Sequence, residues 1–269
     1  MTTLEILGNS DENVQKSYNL SGKYILKRLL KDYGLNLYPD KKRGDLNELF
    51  KEKRPQLLEK LKDHCEDCDP FATIGCYHHK FGSKKTALLF NTLLFDECCE
   101  NFIKNVKENT IDSDTVAQIY RENHFSKLSK ELPYSFQDPL LIVQSCIHPS
   151  HKLSSKIGSN LELAFIGDSV LDELLLREVC IYGFTNEQFD KCRQAVLNNI
   201  NLVVLAVKFG FDKYRLVGPG VVNISWKSDA DLFEALVGAV YLDSGRNMEI
   251  VRKVFYPFLI PSIEKCWKQ

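Results

Sequence analysis

Three carboxylates carry the chemistry this sequence offers. Asp168 sits among Leu163, Ile166, Val170, Leu171, Leu174 and Leu175, and a carboxylate beside an apolar stripe is costly unless its charge is compensated. Asp231 and Glu234 stand three residues apart, on one face of a helix, in a run whose other members (Leu232, Phe233, Ala235, Leu236, Val237, Val240) are strongly apolar. Two such helices facing each other would gather three carboxylates. An oxygen-only cluster suits Mg²⁺ or Mn²⁺, ions that activate water and stabilise the leaving oxygen in phosphodiester hydrolysis. Each acid also has a plainer reading. Asp231 could partner Ser228 in a capping box, Asp168 could pair with a basic side chain, and Glu234 could hydrogen-bond across a dimer.

Helices must position these acids. Apolar residues recur at helical spacing through most of the chain, with no two-residue alternation flanked by hairpin turns, which predicts an all-α protein. Leu161 to Val179 forms the helix holding Asp168, and Ser228 opens the helix with Asp231 and Glu234, which stops before Gly245. Between them, Thr185 with Gln188 is a capping box for a helix ending near Asn198, and a further helix runs from Asn199 to Phe209 before Gly210. Towards the N-terminus, Tyr24, Ile25, Leu26, Leu29, Leu30 and Tyr33 mark an amphipathic helix stopped by Gly34. Asp45 with Glu48 opens the next, which Pro55 interrupts. A broad apolar stripe over Lys84 to Asn109 reads as a helix packed on two sides, and another helix spans Ser113 to Glu131. Leu132-Pro133 then breaks the pattern, dividing a helical N-terminal domain, residues 1–132, from a second domain, residues 133–269.

The 269 residues suffice for one large domain or two modest ones. With 44% hydrophobic and 26% charged residues, and Lys+Arg 35 against Asp+Glu 36, the bulk numbers exclude disorder and a polybasic tail. Met1 to Val14 carries acids rather than a basic, apolar leader. No run approaches the roughly 20 apolar residues of a bilayer span, so no membrane partner is expected. Nine cysteines, an odd number scattered through apolar stretches, suit a reducing compartment, cytoplasm or nucleus, better than a disulfide framework. Cys65, Cys68, Cys76 and His78 have the ligand types of a structural zinc site, the first pair at knuckle spacing. The remaining spacing fits no named finger, and reduced cysteines packed in a helical domain are the alternative. Gly82-Ser83-Lys84-Lys85-Thr86 lacks the upstream glycine of a P-loop.

Longer motifs raise the weight of the acidic pattern. Phe136-Gln137-Asp138-Pro139-Leu140-Leu141, then Ile147-His148-Pro149-Ser150, then Asn160-Leu161-Glu162-Leu163-Ala164-Phe165-Ile166-Gly167-Asp168-Ser169-Val170-Leu171-Asp172 resemble the ribonuclease III signature in order and spacing. Lys227 to Gly245 resembles that family's second acidic motif, and Arg193 to Gly210 its connecting helices. The resemblance covers about Leu132 to Gly245 and implies an all-helical domain that pairs into a homodimer. Each subunit would cut one strand of double-stranded RNA, leaving staggered ends with short 3′ overhangs, in RNA processing or RNA silencing. By position, Asp168, Asp231 and Glu234 match the family's ligands for Mg²⁺ or Mn²⁺, and Lys227 matches a basic residue that in many eukaryotic members lies near the scissile phosphate. The 24 residues after Gly245 are too few for the double-stranded-RNA-binding domain many members carry. Affinity is then expected from Lys227, Arg193 and Lys191 and from the basic run Lys41-Lys42-Arg43, because phosphate contacts supply most nonspecific affinity.

Two departures from the family pattern bear on catalysis. Ala164 stands four residues before Asp168, on the same helix face, where the pattern has a metal-ligating glutamate, and Leu161 stands where it usually has another acid. Glu162 falls where the family tends to carry arginine and points away from the Asp168 face. A site short of one carboxylate implies an impaired enzyme. A noncatalytic double-stranded-RNA-binding or ribosome-associated protein on the same scaffold is the competing reading, and under either the N-terminal half could recruit partners.

Overall fold

The computed structural model describes residues 12–37, 43–63, 69–80, 86, 112–180, 185–222 and 224–267. The elements among them are helices, with no strand among the described residues and an isolated parallel bridge between Ile147 and Leu216. The all-α expectation agrees with this. No described helix is long and apolar enough to cross a membrane.

The chain forms two compact units. The first comprises Met1–Lys107 with Leu175–Phe189, the second Glu108–Leu174 with Asp190–Gln269. In the first unit, α1 (Glu12–Leu37), α2 (Arg43–Asp63) and α3 (70–80) enclose Ile25, Leu26, Leu29, Leu30, Leu57, Leu61 and Ile74. The helix α1 does not stop at Gly34, since one helical glycine costs only about 1 kcal/mol. Nor does Pro55 end α2. Its position on the exposed face lets water satisfy the carbonyl that loses its helical partner. The expected helix over Lys84 to Asn109 lies outside the described residues, Thr86 apart.

The second unit begins with α4 (Ser113–Glu122) and α5 (Phe125–Glu131). They are two helices rather than the one expected, because His124 adopts a left-handed backbone with φ of 56° between them. This break turns Phe125 and Leu128 inward, where both are fully buried, and the Phe125 ring lies 6.3 Å from that of Tyr214. The unit therefore starts well before the Leu132-Pro133 boundary read from the sequence. After α6 (Pro139–Cys146) and the short α7 (Ser154–Ile157) come α8 (Asn160–Cys180), α9 (Asn186–Val196), α10 (Asn199–Lys208), α11 (Lys227–Asp243) and α12 (Met248–Trp267).

Helix α11 is the axis of this unit, packed against α6, α10 and α12. Leu232, Phe233, Ala235, Leu236, Val237, Ala239, Val240 and Tyr241 along it are fully buried, an all-round apolar surface that only a central helix tolerates. Its C-terminal Asp243 accepts hydrogen bonds from the Tyr134 hydroxyl (2.7 Å) and the Gln137 and Asp138 amides (2.9 and 2.8 Å). Asp138 in turn caps α6 through the Leu140 amide at 2.8 Å. The expected capping box before α9 is present in both directions: the Thr185 amide donates to Gln188 Oε1 (2.8 Å), and the Gln188 amide donates to Thr185 Oγ1 (3.2 Å).

Candidate functional site

The acids of interest ride on α8 and α11, and two glycines set how closely these helices cross. A side-chain carbon on Gly167 would collide with the backbone carbonyl of Glu234, and one on Gly238 with the carbonyl of Leu163. Backbone therefore meets backbone at the crossing. Leu163, Ala164, Ala235 and Ala239 form its apolar floor, joined by Phe136, Leu141 and Leu242. The crossing sets Gly167, which precedes Asp168, against the backbone of Glu234, three residues after Asp231 on α11. The Asp168 side chain is 25% exposed, whereas Glu234 is buried on the inner side.

Helix starts decide which acids remain for chemistry. Glu162 accepts hydrogen bonds from both the amide (2.9 Å) and the hydroxyl (2.8 Å) of Ser159, so its carboxylate serves the N-terminus of α8. Glu162 thus does not replace the missing acid. Helix α11 begins at Lys227, with Trp226 before it and no side-chain cap. Ser228 already lies inside the helix, which removes the capping-box reading of Asp231. Asp229, in the first turn, forms an ion pair with Arg215. Lys227 is exposed at the helix start.

Asp168 does meet a basic side chain. Arg193, on α9, places Nη2 3.7 Å from Asp168 Oδ1, while its Nε and Nη2 donate to Asp172 Oδ1 and Oδ2 at 2.5 and 3.2 Å. The Asp172 side chain is only 1% exposed. Arg193, expected at the RNA, is thus engaged with two carboxylates of its own chain. Asp172 lies four residues beyond Asp168, one turn along the same face, a spacing that could have marked it as a site neighbour.

A second residue without an assigned role is His148, in the segment joining α6 to α7. The His148 amide donates to the Leu216 carbonyl at 2.9 Å, and the Gly218 amide donates to Ser150 Oγ at 3.1 Å, so the His148-Pro149-Ser150 segment is tied to 216–218. Its Nδ1 accepts from the Ser150 amide at 3.2 Å and lies 2.8 Å from Ser150 Oγ, which leaves Nε2 to carry the proton of the neutral ring. Burial, and then the Arg215 charge, depress the imidazole pKa, while Asp231 acts in the opposite sense and so lies within electrostatic reach.

The carboxylates of Asp168, Asp231 and Glu234 are of the hard-oxygen type that Mg²⁺ or Mn²⁺ takes, and in kind they fit such an ion. They do not close into a cage: among the described residues no group of three or more His, Cys, Asp or Glu side chains is arranged to hold a metal. Ala164, fully buried against Ala235 and Ala239, contributes no oxygen on the face where the fourth would stand. Of the zinc candidates, Cys65 and Cys68 lie outside the described residues, as do Lys41 and Lys42. Cys76 and His78 are buried, and His78 Nε2 accepts a 2.9 Å hydrogen bond from Arg177.

Comparison with known proteins gives a match over this segment. Residues 161–245 match the ribonuclease III domain. The chain is 33% identical over 130 residues to Ribonuclease 3 of Sulfurovum sp. (strain NBC37-1), a match covering 46% of this chain and 56% of that protein. It is 26% identical over 181 residues to Endoribonuclease Dicer of Gallus gallus, covering 52% of this chain and 9% of that much longer protein. Among solved structures, the nuclease domain of ribonuclease III from Campylobacter jejuni is 24% identical, with a TM-score of 0.47, over 52% of this chain and 99% of that one.

Proposed function

We propose that the second unit, whose residues 161–245 match the ribonuclease III domain, is a divalent-metal-dependent endoribonuclease scaffold for double-stranded RNA whose cutting is impaired by Ala164. The observation that carries the reading is the glycine-mediated crossing that brings the Asp168 motif against the Asp231 and Glu234 motif. In this reading Asp168, Asp231 and Glu234 hold Mg²⁺ or Mn²⁺. When bound, that ion supplies an activated water and stabilises the leaving oxygen of the phosphodiester. The chain's own residues bind and orient: Lys227, exposed at the start of α11, offers its ammonium to the phosphate backbone, and the Asp172 and Arg193 pair steadies Asp168. A homodimer, cutting once on each strand, would leave staggered ends with short 3′ overhangs. Among the described residues Cys146, Cys192 and Cys266 are thiols outside any disulfide, and the location proposed is a reducing compartment, cytoplasm or nucleus.

A specific feature favours a second reading, a binding protein that does not cut. Ala164 is fully buried on an alanine floor and Leu161 supplies no acid, so two of the family's acidic positions are apolar. One assay separates the two. The chain and its Ala164→Glu variant, checked for equal unfolding temperature, are incubated with a long labelled RNA duplex and Mn²⁺, and both binding and cleavage are scored. The enzyme reading expects both to bind and the glutamate variant to cut far faster. Binding by both with no cleavage by either hands the function to the binding reading, and no binding by either overturns both.

A further inference from the structure

A buried carboxylate is tolerated only when a well-oriented cation satisfies it, and an arginine fork does this in a way a lysine ammonium does not. Asp172 is such a carboxylate, 1% exposed and one helical turn beyond Asp168 on α8. Its partner Arg193 is 32% exposed and reaches both this buried acid and Asp168. The guanidinium grips both oxygens of Asp172, yet stands from Asp168 at 3.7 Å, an ion-pair distance rather than a hydrogen bond. The two acids on one helix face therefore share Arg193, and the geometry gives it mainly to the buried one.

We propose that Asp172 is a positioning residue of the acidic site: by anchoring Arg193 it keeps the arginine from closing on Asp168, and so sets how readily Asp168 accepts a divalent cation. This rests on the metal reading of the site. The electrostatics give opposite signs for the two partners. Neutralising Asp172 releases the fork that it shares with Asp168, so the guanidinium can move closer to Asp168 and an incoming cation must then displace it. Neutralising Arg193 removes a positive charge from the site and leaves an extra anion nearby. A residue that merely supports the fold would weaken binding from either side.

The test measures Mn²⁺ binding to the full chain by the free-ion EPR signal, without RNA and without reference to cleavage. Asp172→Asn is expected to weaken binding and Arg193→Gln to tighten it, each by about fivefold, the scale of one unit charge at about 4 Å in a water-like dielectric. The double variant is expected to bind close to the unaltered chain. Shifts of the two single variants in the same direction, or none in either, overturn the proposal. Should either single variant fail to fold, Arg193→Lys keeps the charge and loses the fork. Weaker binding is then expected, and unchanged binding overturns the proposal. Asp231→Asn separates this inference from its premise. If Mn²⁺ binding survives that change undiminished, the metal reading fails and the inference with it. If Asp231→Asn abolishes binding while the Asp172 and Arg193 variants leave it unmoved, the inference alone fails.

Discussion

At the scale of single residues, the environment of a side chain decides what its chemistry can be. Cys146 is fully buried, which pushes its thiol up to about 12, and Cys192, beside Cys266, is likewise pushed up to about 12 by burial first and its sulfur neighbour second. The thiolate is the reactive form, and a raised pKa leaves almost none of it at neutral pH. In the folded protein at about pH 8, Cys146 and Cys192 are therefore expected to resist iodoacetamide, although a free cysteine titrates near that pH. Peptide mass spectrometry after alkylation, with and without denaturant, checks this. Rapid native labelling of Cys146 would contradict the burial described. The same principle sorts the acids of the site. Glu162, which stands where the ribonuclease III pattern tends to carry arginine, caps a helix. Asp172, buried one turn beyond Asp168, holds Arg193.

At the scale of elements, the determining feature is the crossing of α8 and α11. Gly167 and Gly238 let each helix approach the backbone of the other, so a methyl group at either position meets a carbonyl that cannot rotate away. Gly238→Ala is expected to cost about 3 kcal/mol of stability, the upper part of the usual range for overpacking, and to separate the acidic motifs. Urea denaturation measures the first effect. Loss of Mn²⁺ binding beyond the loss of folded protein measures the second. A variant as stable as the parent would mean the helices have room to part, and the site would then not depend on the crossing. Helix ends show what local signals can fix. Thr185 and Gln188 form the expected box, whereas Gly34 costs a helix only about 1 kcal/mol and the larger penalty of Pro55, about 3 kcal/mol, is outweighed by the rest of its helix.

At the scale of the molecule, the second unit reaches back past the proline at 133. Phe125, Leu128 and Leu132 are fully buried, and Tyr214 donates a hydrogen bond to Glu131 at 3.2 Å. A chain of residues 108–269 is accordingly expected to unfold at a higher temperature than one of residues 133–269, which exposes the surface these three apolar side chains cover. Equal unfolding temperatures would restore the boundary read from the sequence. The sequence by itself determined the helical class, the helices bearing the acids and the family of the motifs, because periodicity, capping pairs and motif spacing are local properties of the chain. Only the tertiary structure decided that Arg193 serves Asp172 and leans on Asp168, that His148 lies within electrostatic reach of Asp231, and that the three candidate acids stop short of a closed cage. Those outcomes depend on which helix faces cross and how closely, and a crossing distance is set by backbone contacts between segments some seventy residues apart, which no local pattern records.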